Sequence, residues 1–250
     1  MSHTSYLTIS SADRESSSIS RSNFKYRLPN SLSDITKIVV DQVCIPAVWY
    51  TVITGYNDKI VIDVSSTDYN ATLDPGVYTA SELATEAQSK IRAAYTPDNN
   101  HSVSLDTKLY KFTISHTGTA FTIEWSQSNS ANKLFGFEST DTSSTTSHTA
   151  TNIYNLKTTN KVHIISNQLA SRVNILGGNY RKTLFSAIAN ANFGEFIEFQ
   201  NNGNHFVHNY GQQKDFYEID FKLLFDDGTL IPLNGVDWSI SLRFYATLKT

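Results

Sequence analysis

The stretch Trp238-Ser239-Ile240-Ser241-Leu242-Arg243-Phe244 alternates apolar and polar side chains at every position. Because successive side chains of a β-strand point to opposite faces, this pattern predicts a strand with its apolar stripe in a core and its polar stripe outward. The stretch Ile219 to Phe225 is patterned in a similar way and is followed by the turn sequence Asp226-Asp227-Gly228. We therefore expect two half-buried strands in the last third of the chain.

Further strand patterns occur along the chain, together with one helical pattern. Thr79 followed by Glu82 is a capping-box sequence, and Leu83, Ala87 and Ile91 recur at the spacing of one helix face. The predicted elements are a helix over 79–95 and strands over 35–45, 60–64, 110–114, 121–125, 162–165, 184–188 and 196–199.

The order of these elements predicts the fold class. The strands over 110–114 and 121–125, with Gly118 between them, predict a β-hairpin. The sequence shows neither the strand–helix alternation of a parallel sheet nor an internal repeat. Many strands with a single helix therefore predict an all-β protein, a two-sheet β-sandwich with one inserted amphipathic helix.

The N-terminal segment differs from the rest of the chain because its apolar residues are sparse and Ser16-Ser17-Ser18 interrupts any pattern. Such a segment buries too little surface to offset the entropy lost when it becomes ordered. This predicts an extended N-terminal arm over residues 1–29, which is either frayed or ordered on a neighbouring subunit. Residues 30–250 are expected to form a single domain.

Composition and charge exclude several classes of function. Lys and Arg total 20 against 23 Asp and Glu, a net charge of −3, so direct binding to nucleic acid is disfavoured. The single cysteine, Cys44, excludes an intramolecular disulfide and fits a small buried apolar residue. The sequence has no apolar run long enough to span a bilayer and no visible secretory signal, which predicts synthesis in a reducing compartment without export.

Reactive constellations are not evident in the sequence, so we expect no catalytic, cofactor-binding or metal-ligating residues and no enzymatic activity. His205 and His208 lie three residues apart, but no third ligand follows at a suitable spacing. The Asn-rich residues before them predict a solvent-facing loop instead.

A series of short segments, taken in order, resembles the penton (vertex) proteins of virophages, polinton-like viruses and large double-stranded DNA viruses. The resemblance extends over most of residues 23–245. Its segments are Leu28-Pro29, Cys44-Ile45-Pro46, Val48-Trp49-Tyr50, Leu73-Asp74-Pro75-Gly76-Val77-Tyr78-Thr79, Leu134-Phe135-Gly136-Phe137, Ile164-Ile165-Ser166-Asn167-Gln168-Leu169, Asp226-Asp227-Gly228-Thr229-Leu230-Ile231-Pro232-Leu233-Asn234 and Asp237-Trp238-Ser239.

This resemblance implies a single jelly roll over residues 30–250, five copies of which close the fivefold vertex of an icosahedral capsid. The implied partners are further copies of the chain, the major capsid protein and minor capsid proteins. The implied location is the capsid vertex of a virion assembled inside the host cell. The resemblance supplies no catalytic residues and no cofactor.

A ring of subunits needs contact surfaces, and two loops are the candidates. Aromatic residues in one loop and amides in the other predict a subunit interface, since aromatic anchors dominate such contacts. The candidate interface residues are Val48, Trp49, Tyr50, Asn201, Asn202, His205 and His208.

The alternative function is a receptor- or glycan-binding jelly-roll module of a viral fibre or tail. Some of the segments above, such as Leu134-Phe135-Gly136-Phe137, also recur in such proteins. Sugars stack on exposed aromatic rings while amides and carboxylates bind their hydroxyl groups. The residues that would form this site are Trp49, Tyr50, Tyr56, Asn57 and Asp58.

Overall fold

The computed structural model of the chain describes residues 2–96, 99–203 and 206–247. The chain divides into two compact units, of which the first combines Met1–Trp49 with Thr159–Thr250 and the second consists of Tyr50–Thr158. The sequence analysis expects one domain over 30–250. The second unit has sheets, a helix and a hydrophobic core of its own, and the single-domain boundary stays a prediction.

The described residues form mainly β-strands. In chain order the elements are β1 (Ser2–Ser10), β2 (Asn23–Pro46), β3 (Lys59–Val64), β4 (Thr67–Thr72), α1 (Ala80–Ala94), β5 (His101–Asp106), β6 (Lys111–His116), β7 (Thr122–Ile123), α2 (Asn132–Phe135), β8 (Ser147–Thr149), β9 (Lys161–Ile165), β10 (Val173–Leu176), β11 (Asn179–Ile188), β12 (Phe196–Gln200), β13 (Val207–Leu224) and β14 (Ser239–Thr247). A short 3-10 helix, Ser11–Asp13, follows β1.

The first unit is built on one antiparallel sheet with the strand order β1-β14-β2-β13-β9-β11-β10, and β12 also pairs with β2. The long strands β2 and β13 pair in two places. Arg27 of β2 lies opposite Glu218 of β13, whereas Val39 lies opposite Val207, with register shifts in between. This antiparallel, mostly β architecture confirms the predicted all-β class with one inserted amphipathic helix.

The stripe predicted from residues 238–244 faces the core of the first unit. Its apolar side chains are buried, while the polar ones between them remain partly exposed. The Trp238 ring meets Phe24 and Phe221 edge-on, at centroid distances of 5.7 and 5.8 Å. Its indole N–H donates to the carbonyl of Arg21 at 2.9 Å, so the polar edge of the ring is also satisfied. The predicted orientation of this strand is confirmed.

The N-terminal segment is packed on the sheet in this structure. Strand β1 pairs with β14 along its whole length, and Ile9 is fully buried. The Ser11 hydroxyl donates to Asp237 at 2.6 Å. The predicted arm boundary at residue 29 falls inside β2. Backbone pairing with the edge of β14 orders a segment whose sparse apolar side chains would not do so alone.

The second unit contains the helix and two three-stranded sheets, β4-β3-β7 and β5-β6-β8. The capping box is formed: the Thr79 hydroxyl accepts from the Glu82 N–H, and the Glu82 carboxylate accepts from the Thr79 N–H. The apolar face of α1 joins a core that includes Phe112 and Ile123. The helix prediction is therefore confirmed. Within the described residues, no helix is long and apolar enough to cross a membrane.

The hairpin predicted over 110–125 is wrong. Strand β6 pairs with β5 and β8, whereas β7 pairs with β3. The alternation of side chains is as predicted, with Phe112, Ile114 and Ile123 buried. Each of the two strands pairs with other strands of the unit and buries its apolar face there. Although they are close in sequence, they do not pair with each other.

His208 lies near the start of β13 and is buried, so the prediction of a solvent-facing loop is wrong at this position. The imidazole Nε2–H donates to the carbonyl of Leu184 at 2.8 Å, and Nδ1 accepts from the N–H of Ser171 at 3.0 Å. Burial lowers the pKa of His208; the Leu184 hydrogen bond opposes this and the nearby charge of Arg172 adds to it. The ring is held neutral.

Replacing Trp238 by alanine should lower the free energy of unfolding by roughly 3–5 kcal/mol, because a buried aromatic ring is replaced by a cavity. Guanidinium denaturation followed by circular dichroism measures this change. The control is Ser239→Ala, one position along the same strand, which should change stability by less than about 0.5 kcal/mol. Equal stability of the two variants would contradict the burial of Trp238.

The free energy of unfolding should also fall as the pH drops below about 6.5. The folded-state pKa of His208 is lowered, so the unfolded chain binds a proton that the folded chain does not. The stabilisation is therefore complete above this pH and is lost as the pH falls. Burial lowers the pKa of His148 as well, and that residue adds to the effect.

Urea denaturation at about pH 7.5 and about pH 5 tests this dependence. The loss of stability between the two should be smaller in His208→Gln than in the wild type. His3→Gln, which changes an exposed histidine, is the control and should leave the loss unchanged. A pH dependence that survives His208→Gln in full would contradict the assignment.

Candidate subunit interface

The sheet of the first unit ends in β1 on one side and β10 on the other. Neither strand contains Lys, Arg, Asp, Glu or Pro. Monomeric proteins usually protect edge strands with charges or proline, because free backbone N–H and C=O groups pair readily with another chain. Both edges are therefore suited to contact with a further subunit.

The β10–β11 hairpin carries an exposed apolar cluster formed by Val173, Ile175 and Tyr180. Ile175 and Tyr180 are opposite each other across the hairpin, with 64% and 79% of their surfaces exposed. Val173 lies two residues from Ile175 and therefore on the same face. Exposed apolar side chains grouped in this way mark contact sites.

The sequence analysis missed this hairpin, although a signal was present. Gly177-Gly178 separates two segments with strand residues, which is a hairpin pattern. Both glycines have positive φ, and a Cβ at Gly177 would collide with the carbonyl of Asp227. The turn therefore requires glycine at this position.

Two of the three predicted aromatic-loop residues belong to the first unit. Val48 and Trp49 are partly buried there, and the Trp49 ring packs edge-on against Phe225 at 5.8 Å. The carbonyl of Val48 accepts from the Asn234 amide at 2.6 Å. Part of the surface of Trp49 is thus used within its own protomer, and the rest remains available for a neighbour.

Tyr50 begins the second unit, where its carbonyl accepts from the Thr158 hydroxyl at 3.1 Å. The Tyr50 side chain is partly buried.

The Asn-rich segment is only partly exposed. The Asn201 amide donates to the carbonyl of Val40 at 3.0 Å, which fixes the segment against β2. Asn202 is exposed, and His205 lies outside the described residues. The buried His208 cannot contact a neighbouring subunit and is removed from the candidate interface.

The polar groups of the predicted glycan site are not exposed to solvent. Asn57 and Asp58 are buried. The Asn57 side chain accepts from the Ile53 N–H and donates to the carbonyl of Thr51, and the Asp58 carboxylate accepts from the Gly55 N–H. These groups stabilise their own loop, so they do not provide the sugar-binding surface that the sequence suggested.

A hydrogen-bonded trio, Ser186, His163 and Asp226, was not predicted. His163 is buried, with Nδ1 2.8 Å from the Ser186 hydroxyl and Nε2 2.9 Å from Asp226. The second Asp226 oxygen accepts from the backbone N–H groups of Asn160 and Lys161. Burial would raise the pKa of Asp226, but these hydrogen bonds outweigh it and hold the pKa below its usual value. Asp226 thereby anchors the start of β9.

One group of carboxylates, Asp63, Asp68 and Glu124, has oxygen atoms within 4.8 Å of one another in the described part of the second unit. Carboxylate oxygens are the ligands that Ca²⁺ and Mg²⁺ prefer. Asp63 already accepts from the Ser66 N–H, and Glu124 accepts from the Gln127 amide.

Cys44, which was expected to be buried, is partly exposed. The buried part of its surface and the nearby charge of Glu198 raise the pKa of the thiol.

Comparison with known proteins gave one type of match. No protein-family model matches the chain, and no curated protein does. Among solved structures the chain is similar to the crystal structure of the selenomethionine-labelled mavirus penton protein. The two are 13% identical, with a TM-score of 0.49 over 97% of this chain and 99% of that chain. Penton proteins are also the class that the sequence segments resemble.

Proposed function

We propose that this chain is a structural capsid protein, a penton whose five copies close the fivefold vertex of an icosahedral virus particle. The observation that carries the proposal is the first unit's sheet, which has an uncharged free strand at each end and exposed apolar side chains at one of them. The order of penton-like segments in the sequence supports it. The role is architectural, and it requires neither catalysis nor a cofactor.

A closed ring of identical subunits uses a heterologous contact, in which one surface meets a different surface of the next copy. Strands β1 and β10 are different, lie at opposite ends of one sheet and are both unprotected. Pairing between them would satisfy free backbone groups and remove water from Ile175 and Tyr180. Burial of an exposed apolar side chain of this size contributes up to about 1.5–3 kcal/mol.

The other candidate interface residues keep part of their surface exposed. Val48, Trp49, Tyr50, Asn201 and Asn202 keep the part of their surface that their own units leave open. A net charge of −3 per copy gives little repulsion between subunits at physiological salt, where the Debye length is about 8 Å. Charge therefore does not oppose assembly.

The vertex position defines the remaining partners. We propose that the penton contacts the major capsid protein and minor capsid proteins, inside a virion that assembles in the host cell. Residues 1–29 contribute the strand β1 to this arrangement. That strand has one free edge, so it is available to a neighbour even though it is ordered in the protomer.

Introducing a charge at Ile175 should break the ring. Wild-type protein should sediment as a pentamer in analytical ultracentrifugation, and Ile175→Asp should weaken association by more than about 30-fold, as expected for a hot spot of at least 2 kcal/mol. Leu109→Asp is the matched control, because Leu109 is equally exposed (61%, against 64% for Ile175) but belongs to the second unit.

Circular dichroism should show that both variants fold. A pentameric Ile175→Asp protein would exclude the β10–β11 hairpin from the contact. A wild-type protein that remains monomeric at high concentration would contradict the ring itself.

A further inference from the structure

A polar groove of about 410 Å³ crosses the solvent-facing side of the first unit's sheet. It runs over four adjacent strands, and one continuous row of cross-strand neighbours lines it: Thr8, Ser241, Gln42 and Gln200. Since neighbouring strands lie about 4.8 Å apart, this row spans roughly 14 Å. The groove is separate from the exposed apolar hairpin.

A β-bulge brings an additional carboxylate into the groove. Ser241 pairs with Gln42 and Leu242 pairs with Val40, which leaves Asp41 as an extra residue in β2. Asp41 and Gln42 therefore both line the groove, although adjacent residues of a regular strand would point to opposite faces. Asp41 accepts a hydrogen bond from Arg243 at 2.6 Å, which orients the guanidinium and balances its charge.

The groove has an aromatic wall formed by Tyr6, which is 72% exposed and lies opposite Arg243 on the neighbouring strand. The Arg243 guanidinium lies 5.9 Å from the centroid of the Tyr6 ring. No other large apolar side chain in the lining is exposed, since Leu242 is buried and Leu7 is partly buried. Tyr6 is thus a single aromatic surface in polar surroundings.

The polar groups of the groove are largely available to a ligand. Within the described part of the chain, the side-chain amides of Gln42 and Gln200 and the hydroxyl of Tyr6 make no hydrogen bond. Arg243 binds Asp41 through Nη2 and its Nε is buried, which leaves Nη1 for a ligand. Thr8 and Ser241 share one hydrogen bond of 2.9 Å, which leaves further acceptor positions on both hydroxyls.

We propose that this groove binds a neutral carbohydrate. The C–H face of a sugar ring stacks on an aromatic side chain, and its neighbouring hydroxyl groups need donors and acceptors side by side, which the two amides, the hydroxyls and the Asp41–Arg243 pair provide. An anionic ligand fits less well, because Asp41 already compensates the one cation in the lining. A protein partner fits less well too, because such contacts depend on several apolar anchors.

Carbohydrate binding does not depend on the proposed ring, and the two surfaces share Asn201, which lines the groove and is also a candidate interface residue. A ring contact along β1 would use the backbone edge of that strand, whereas the groove uses the side chains on one of its faces. The protein would then combine an architectural contact with attachment to a glycan.

Titration of the full-length protein with maltotriose, cellotriose, mannotriose and chitotriose, followed by saturation-transfer NMR and calorimetry, tests the proposal. At least one of these sugars should bind, and Tyr6→Ala should weaken that binding by about tenfold. Tyr6→Trp should retain it. Gln200→Ala should weaken it by about fivefold through the loss of hydrogen bonds.

The matched control is Tyr217→Ala, which removes a tyrosine of similar exposure (65%) from β13 of the same sheet, outside the groove, and should leave sugar binding unchanged. Circular dichroism should confirm that each variant folds. The proposal is overturned if none of the four sugars binds, if Tyr217→Ala loses binding as Tyr6→Ala does, or if sialyllactose or heparin binds more tightly than every neutral sugar.

Discussion

Strand β2 is the element on which the first unit depends, because β12, β13 and β14 all pair with it. Ile38, Val39 and Val40 are buried in succession, so both faces of β2 are covered at this point. The irregularity at Asp41 in the same strand turns a carboxylate toward solvent. The same strand, β2, therefore contributes buried side chains to the core and a carboxylate to the polar groove.

Local patterns were sufficient to predict what lies within one element. The strand containing Trp238 and the helix containing Leu83 were predicted correctly, because alternation and capping are properties of adjacent residues. Partner choice is a property of the whole fold. The strands around Phe112 and Ile123 were predicted with the right faces but with the wrong partners, since many pairings bury the same apolar stripe equally well.

The candidate contact sites were harder to predict because exposure depends on tertiary structure. His208 and Asp58 have the side chains of surface residues, yet the backbone groups around them make burial favourable. Ile175 and Tyr180 have the side chains of core residues, yet they lie on an exposed face of the hairpin. The sequence gives the residue type at each position, whereas the tertiary structure determines which side chains are exposed to solvent.

The pairing of β1 with β14 joins segments from opposite ends of the sequence, since Ser5 lies opposite Phe244. During synthesis on a ribosome, β1 emerges long before β14 and has no partner until β14 is complete. The second unit, in contrast, is continuous in sequence and is able to fold while the rest of the chain is still being made. The uncharged strand β1, with apolar residues at Leu7 and Ile9, therefore stays unpaired until β14 has been made, and during that interval its edge is open to aggregation.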